Sequence, residues 1–114
     1  MKQFSSKRSI QILGHVLQQY GIDKMVISPG SRNAPLAIHF SELDSFECFS
    51  IIDERSAAFV AMGMAKSLKQ PVAISCTSGS AATNYYPAVV EAFYQNVPLL
   101  VLTADRPTDF VDLF

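Results

Sequence analysis

The chain has 114 residues, 49% of them hydrophobic and 17% charged, against roughly 25% charged in an average soluble domain. That length allows one domain and excludes two. Nine Lys and Arg oppose ten Asp and Glu for a formal charge of −1, so the chain lacks the basic excess that a nucleic-acid or anionic-membrane surface needs. So few charges on so apolar a chain imply a surface that meets a partner or the rest of a longer chain. Met1-Lys2-Gln3-Phe4-Ser5-Ser6-Lys7-Arg8 has no apolar stretch behind its charges, unlike a secretory signal. The longest apolar run, residues 57–65, is nine long, where a membrane-spanning helix needs about 20. The expectation is a cytoplasmic chain with no membrane or nucleic-acid partner. Cys48 and Cys76, far apart and each inside an apolar segment, read as buried thiols rather than a disulfide or metal pair.

In chain order, Ser5 and Ser6 are expected to cap a first helix, in which Ile10, Leu13, Val16, Leu17 and Tyr20 recur at three- and four-residue steps. Gly21 stands where that helix should end. Residues 25–28 read as a strand closed by Pro29-Gly30, and residues 34–43 as a second helix. Residues 48–52 form the next strand, and residues 53–69 a helix capped by Asp53. A third strand covers 71–76. Thr77-Ser78-Gly79-Ser80 is a turn opening a helix to about Tyr94, with Pro87 as a kink. Asn96-Val97-Pro98 breaks it before a fourth strand, 99–103. The strands are near-continuously apolar, as when both faces of a parallel sheet are covered. The alternation predicts an α/β fold, a parallel sheet with helices on both faces and right-handed crossovers. The whole, residues 1–114, reads as one domain, truncated because residues 105–114 end apolar and uncapped.

In such sheets ligands bind outside the carboxyl ends of the strands. Polar clusters fall at all four: Ser28-Pro29-Gly30-Ser31-Arg32-Asn33, Asp53-Glu54-Arg55-Ser56, Thr77-Ser78-Gly79-Ser80, and Thr103-Ala104-Asp105-Arg106-Pro107. Any one of them is also what a turn or cap requires; four on one rim point to a site. Ser31 and Arg32 open a helix, where free N–H groups and the dipole favour an anion, and Arg32 adds a fork suited to carboxylate or phosphate. Glu54 precedes the apolar stretch 57–65. A helix apolar on all sides must be covered on all sides, and Ala57, Ala58, Ala61, Gly63 and Ala65 permit close approach. A carboxyl at its mouth is expected to be desolvated, with a raised pKa; the competing reading is a surface ion pair with Arg55 or another arginine.

Other signals are weaker. His15 and His39 lack a second ligand at metal spacing and read as surface or satisfied histidines. No G-x-G-x-x-G follows the first strand, and neither a Walker G-x-x-x-x-G-K-[ST] nor a G-x-S-x-G elbow occurs. Met62 and Met64 read as core, and Tyr85, Tyr86, Phe93 and Tyr94 as packing on the sheet.

The four clusters together, S-P-G-S-R at 28–32, D-E-R-S at 53–56, C-T-S-G-S-A-A at 76–82 and T-A-D-R-P at 103–107, closely resemble the N-terminal, pyrimidine-binding domain of the thiamine-diphosphate synthases of menaquinone (vitamin K2) biosynthesis. The resemblance spans nearly the whole chain. It implies a transferase that decarboxylates 2-oxoglutarate and adds the succinyl semialdehyde unit to isochorismate. It implies Glu54 as the catalytic acid that hydrogen-bonds the cofactor's aminopyrimidine, favours its imino tautomer and so readies C2 for deprotonation. Thr77, Ser78 and Gly79 would shape the cofactor wall. Ser31, Arg32 and Arg106 would bind the carboxylate-rich substrates. Asn33 and Ser80 stand where Ser and Thr are expected. The diphosphate domain and its G-D-G…N motif, which hold the magnesium ion in that family, have no counterpart here, so this chain supplies no metal ligand and is expected to be inactive alone. Family members place the cofactor between two subunits, implying a homodimer or homotetramer with the 57–65 helix at the partner. The alternatives are a stand-alone α/β anion-binding module using Ser31 and Arg32, or an oligomerisation module.

Overall fold

The structure, a computed structural model, describes residues 1–111; the last three residues of the apolar chain end lie outside the described residues. Four strands, β1 (Lys24–Ile27), β2 (Glu47–Ser50), β3 (Val72–Cys76) and β4 (Leu99–Thr103), form one all-parallel sheet in the order β2-β1-β3-β4. The helices are α1 (Arg8–Gln19), α2 (Ala34–Glu42), α3 (Glu54–Leu68), α4 (Ser80–Asn84), α5 (Tyr86–Gln95) and α6 (Thr108–Val111). The expected α/β architecture is therefore present. The chain leaves β1 sideways to β2, then returns past β1 to β3 and on to β4. This reversal puts a crevice between the carboxyl ends of β1 and β3, where open α/β sheets bind ligands.

Alternation along the central strands divides the core in two. Met25, Ile27 and Ala73 face Leu17, Phe40 and Phe46 on the α1/α2 side. Val26, Val72, Ile74 and Cys76 face Ala57, Ala58, Ala61, Ala65, Ala88 and Ala92 on the α3/α5 side. β3 is buried along its whole length, whereas the outer strands β2 and β4 are only half-covered. The apolar pattern thus reports two covered faces for the inner strands alone.

Local structure corrects several expectations. Helix α1 starts behind Lys7, which makes no side-chain cap; Ser5 instead accepts from the Lys7 N–H at 3.2 Å, outside the helix. Its other end is as expected. Gly21 at φ +70° donates to the Gln18 carbonyl and Ile22 to the Leu17 carbonyl, each at 3.0 Å, the paired bonds of a Schellman stop. Asp53 does cap α3, its carboxylate accepting from the Ser56 N–H at 2.7 Å. The expected kinked helix over 80–94 is two helices. They part at Tyr85, and Pro87 falls in the first turn of α5, where its missing N–H costs nothing.

Of the four aromatics expected on the sheet, only Tyr85 packs there; Tyr86, Phe93 and Tyr94 are exposed. On α3, Ala57, Ala58, Ala61 and Ala65 are buried, but Phe59 and Val60 face outward. Cys76 is buried and Cys48 half-buried, both as free thiols. His39 is buried, not satisfied: its Nδ1 has no partner. No helix of the described residues is long and apolar enough to cross a membrane.

Candidate active-site rim

The four polar clusters do fall at the carboxyl ends of the four strands, and backbone geometry joins three of them. Ser28, the residue after β1, is wholly buried and bonded on three sides. Its N–H donates to the Ser75 carbonyl at 2.9 Å, its hydroxyl donates to the Ile51 carbonyl at 2.8 Å, and its own carbonyl accepts from Asn33 Nδ2 at 3.0 Å. Asn33 Nδ2 also reaches the Ser75 hydroxyl at 3.3 Å. The ends of β1, β2 and β3 and the start of α2 are therefore tied at one buried node.

Above that node, the 28–33 turn lies against the turn after β3. The Arg32 N–H donates to Thr77 Oγ1 at 3.3 Å. Gly30 approaches so closely that a β-carbon there would sit 2.5 Å from Thr77 Cβ, a separation that only glycine allows. Ser31 and Arg32 are exposed at this junction, and Thr77 and Ser78 half-buried. Ser31 also walls a cleft of about 510 Å³ with Ser6, Lys7, Pro35 and Ile38; Glu54 is not among its walls.

Glu54 is the first residue of α3, three residues beyond the Ile51 carbonyl held by Ser28, and is half-buried. Among the described residues it makes no ion pair, so the surface-pairing reading with Arg55 is not what the structure adopts. The groups that feel its charge are Cys76 and Tyr85. Burial pushes the Cys76 thiol above its ordinary value, and the Glu54 carboxylate adds to that. Burial, then the neighbouring thiol, pushes the Tyr85 phenol up further, again with a contribution from Glu54. Glu54, at the start of α3, is thus within electrostatic reach of Cys76 at the end of β3 and of Tyr85, two buried groups whose pKa values it helps to raise. Tyr85 is 1% exposed, and its hydroxyl sits beside Ser28 and Cys76 without a well-formed hydrogen bond.

At the fourth end, the Ala104 N–H donates to the Cys76 carbonyl at 3.0 Å, which draws the chain after β4 back toward β3. Arg106 is exposed two residues on, its N–H bonded to Asp105 Oδ1 at 2.7 Å.

A rim that carries an exposed arginine turn and, among the described residues, a carboxyl without an ion pair is suited to one side of a larger ligand. Residues 8–113 match the family model described as thiamine pyrophosphate enzyme, N-terminal TPP binding domain. The chain belongs to that family. Curated relatives carry the name 2-succinyl-5-enolpyruvyl-6-hydroxy-3-cyclohexene-1-carboxylate synthase. The protein from Flavobacterium johnsoniae is 57% identical over 93 residues, 82% of this chain and 17% of that one. The one from Porphyromonas gingivalis is 49% identical over 109 residues, 96% of this chain and 19% of that one. The chain thus spans about a fifth or less of the relatives it matches. The crystal structure of benzoylformate decarboxylase from Polynucleobacter necessarius superposes with a TM-score of 0.81 over 90% of this chain and 19% of that one, at 20% identity; it shares the fold.

Within this family fold, sequence reasoning singled out Ser31, Arg32, Glu54, Thr77, Ser78, Gly79 and Arg106, and the structure joins the Arg32 and Thr77 turns directly. Sequence reasoning placed Ser28 and Asn33 in the first rim cluster and Tyr85 on the sheet but gave none of them a site role, and it missed Ser75. The signal was present: Ser75 within β3 and Ser28 just after β1 are buried polar residues at the ends of apolar runs, and such groups are held in place by hydrogen bonds.

Proposed function

We propose that this chain is the pyrimidine-binding part of a thiamine-diphosphate-dependent 2-succinyl-5-enolpyruvyl-6-hydroxy-3-cyclohexene-1-carboxylate synthase, a cytoplasmic transferase of menaquinone biosynthesis acting on 2-oxoglutarate and isochorismate. The observation that carries the reading is Glu54: half-buried where α3 begins, without an ion pair among the described residues, and within electrostatic reach of the buried Cys76 and Tyr85. A carboxyl committed to an arginine could not serve a ring nitrogen; this one is available to hold and share a proton there. The residues present fit the pyrimidine half of the cofactor. Among the described residues no group of three or more His, Cys, Asp or Glu could hold a metal ion, and Mg²⁺ with the diphosphate is assigned to chain outside this segment. When bound, the cofactor supplies the electron sink for decarboxylation of a 2-oxo acid.

Each rim residue has a task in this reading. Glu54 hydrogen-bonds the pyrimidine edge. Thr77, Ser78 and Gly79 form the wall beside it. Ser31, Arg32 and Arg106 hold substrate carboxylates, the arginines through paired N–H donors. The outward face of α3, with Phe59 and Val60 about two-fifths exposed, meets a second copy in a homodimer or homotetramer and shields the site from water.

The test uses the full-length enzyme. Glu54→Gln keeps the shape and removes the exchangeable proton; turnover is expected to fall by roughly 10²–10⁴-fold, the range for a positioned acid or base, with assembly and melting unchanged. Turnover near wild type would overturn the assignment. The 114-residue chain, given thiamine diphosphate and Mg²⁺, serves as the blank and is expected to release no CO₂ from 2-oxoglutarate.

A further inference from the structure

We infer that Asn33 is a positioning residue for the Arg32 turn: its buried amide clasps the Ser28 carbonyl to the Ser75 hydroxyl and thereby sets where Arg32 meets an anionic substrate. The inference rests on the reading of the rim proposed above.

Residues 28–33 leave β1 and enter α2 through a short turn. Thr77 holds this turn on its outer side, through the Arg32 N–H and the close approach of Gly30. On the inner side Asn33 closes it. Its Nδ2 spans the Ser28 carbonyl at 3.0 Å and the Ser75 hydroxyl at 3.3 Å, while its backbone carbonyl accepts from the Ala37 N–H at 2.9 Å to begin α2. One residue therefore fixes both the base of the turn and the first turn of the helix, and Arg32 is its immediate neighbour.

The side chain is an odd choice for stability alone. Asn33 is fully buried, yet its Oδ1 has no partner. An unpaired buried acceptor is unfavourable; an apolar side chain of similar size would avoid it, but would leave the buried Ser28 carbonyl without its donor. What the amide uniquely supplies is the pair of donors. Those donors act on Ser28, whose hydroxyl holds the Ile51 carbonyl just ahead of Glu54. That bond does not involve Asn33, so Glu54 keeps its place when the clasp is loosened and the arginine turn alone shifts. Loosening it is expected to impair substrate capture before chemistry.

Asn33→Asp in the full-length enzyme tests this. The change is nearly isosteric, but at neutral pH it places a carboxylate oxygen against the Ser28 carbonyl, where a donor stood. The KM for 2-oxoglutarate or isochorismate, whichever Arg32 holds, is expected to rise about tenfold or more with kcat within about threefold, the signature of lost binding rather than lost chemistry. Burial raises the new carboxyl's pKa. As pH falls it gains a proton, an O–H donor returns, and the variant-to-wild-type KM ratio should shrink. Ser75→Ala removes one acceptor of the clasp without adding charge; it is expected to raise the same KM by about two- to threefold and serves if Asn33→Asp does not fold. Neither KM moving in either variant, or a KM ratio flat with pH in Asn33→Asp, would overturn the inference. A wild-type enzyme that turns over no 2-oxo acid would instead defeat the reading of the rim.

Discussion

On the α1/α2 side of the sheet the helices and the loop before β2 bury Leu17, Phe40 and Phe46; on the α3/α5 side α3 and α5 bury Ala57, Ala58, Ala61, Ala65, Ala88 and Ala92, with Tyr85 at the junction of α4 and α5 as the large side chain beside them. Large side chains fill space between elements, whereas small ones let elements approach until backbones nearly meet. The second face therefore seats its helices close to the sheet and turns its bulk outward. Phe59 and Val60 on α3 and Phe93 and Tyr94 on α5 are exposed. The residue that the proposed function depends on, Glu54, begins the helix that is held closest in this way. Helices that bury alanine and display Phe59, Phe93 and Tyr94 are arranged to be covered from outside; α1 and α2 bury their larger side chains, Leu17 and Phe40, and display Ile12, Tyr20 and Ile38.

Opposite changes in volume should therefore damage the two faces, and the larger loss belongs to the aromatic one. Phe40 is wholly buried and packs edge-to-face on Phe46 with centroids 4.7 Å apart. Phe40→Ala is expected to cost about 3–5 kcal/mol, the range for truncating a core phenylalanine, read as a lower denaturation midpoint. A loss under about 1 kcal/mol would mean that this face collapses to fill the gap and that the contrast is wrong.

On the alanine face, truncation has little to remove and insertion is the harmful change. Ala61 is wholly buried between α3 and the sheet. Ala61→Leu is expected to cost about 1–3 kcal/mol through overpacking and to shift the start of α3. In the full-length enzyme it should then lower turnover as well as stability. A neutral or stabilising leucine would show space between α3 and the sheet, and the close-approach argument would fail.

These contrasts also explain what was legible in the sequence. The two central strands and α3 were readable because hydrophobic runs and caps are local signals: Asp53 lies three residues before the N–H it caps. The rim clusters were readable because turn residues cluster at strand ends. The Asn33 clasp was not, since it joins position 33 to position 75, and no local pattern records a pairing across 42 residues. The exposure of Tyr86, Phe93 and Tyr94 was missed for a related reason. An aromatic at helical spacing looks the same whether its face meets the sheet or a partner, and the many alanines had already filled the inner face. The break at Tyr85 was read as a kink because Pro87 stands inside one continuous apolar pattern; a proline in a first turn starts a helix as readily as it bends one.

The α1/α2 face also buries one titratable group. His39 is 5% exposed, in edge-to-face contact with Phe4 at 5.7 Å and Phe40 at 5.6 Å between ring centroids, and its Nδ1 has no partner. Burial lowers its pKa from the ordinary 6.5, and the nearby His15 lowers it further. The folded chain thus binds this proton less readily than the unfolded chain. Stability must fall with falling pH wherever the unfolded state holds more protons than the folded one. The contribution is fully present above pH 6.5 and diminishes as pH falls from there toward the lowered folded value. Thermal melts stepped from pH 8 to pH 5 are expected to show the midpoint declining across that window. His39→Phe keeps the ring stacking and removes the titration, so its midpoint should decline less. If the two proteins lose stability in parallel, the charge that destabilises this face at low pH lies elsewhere, and His39 is as inert as its aromatic neighbours.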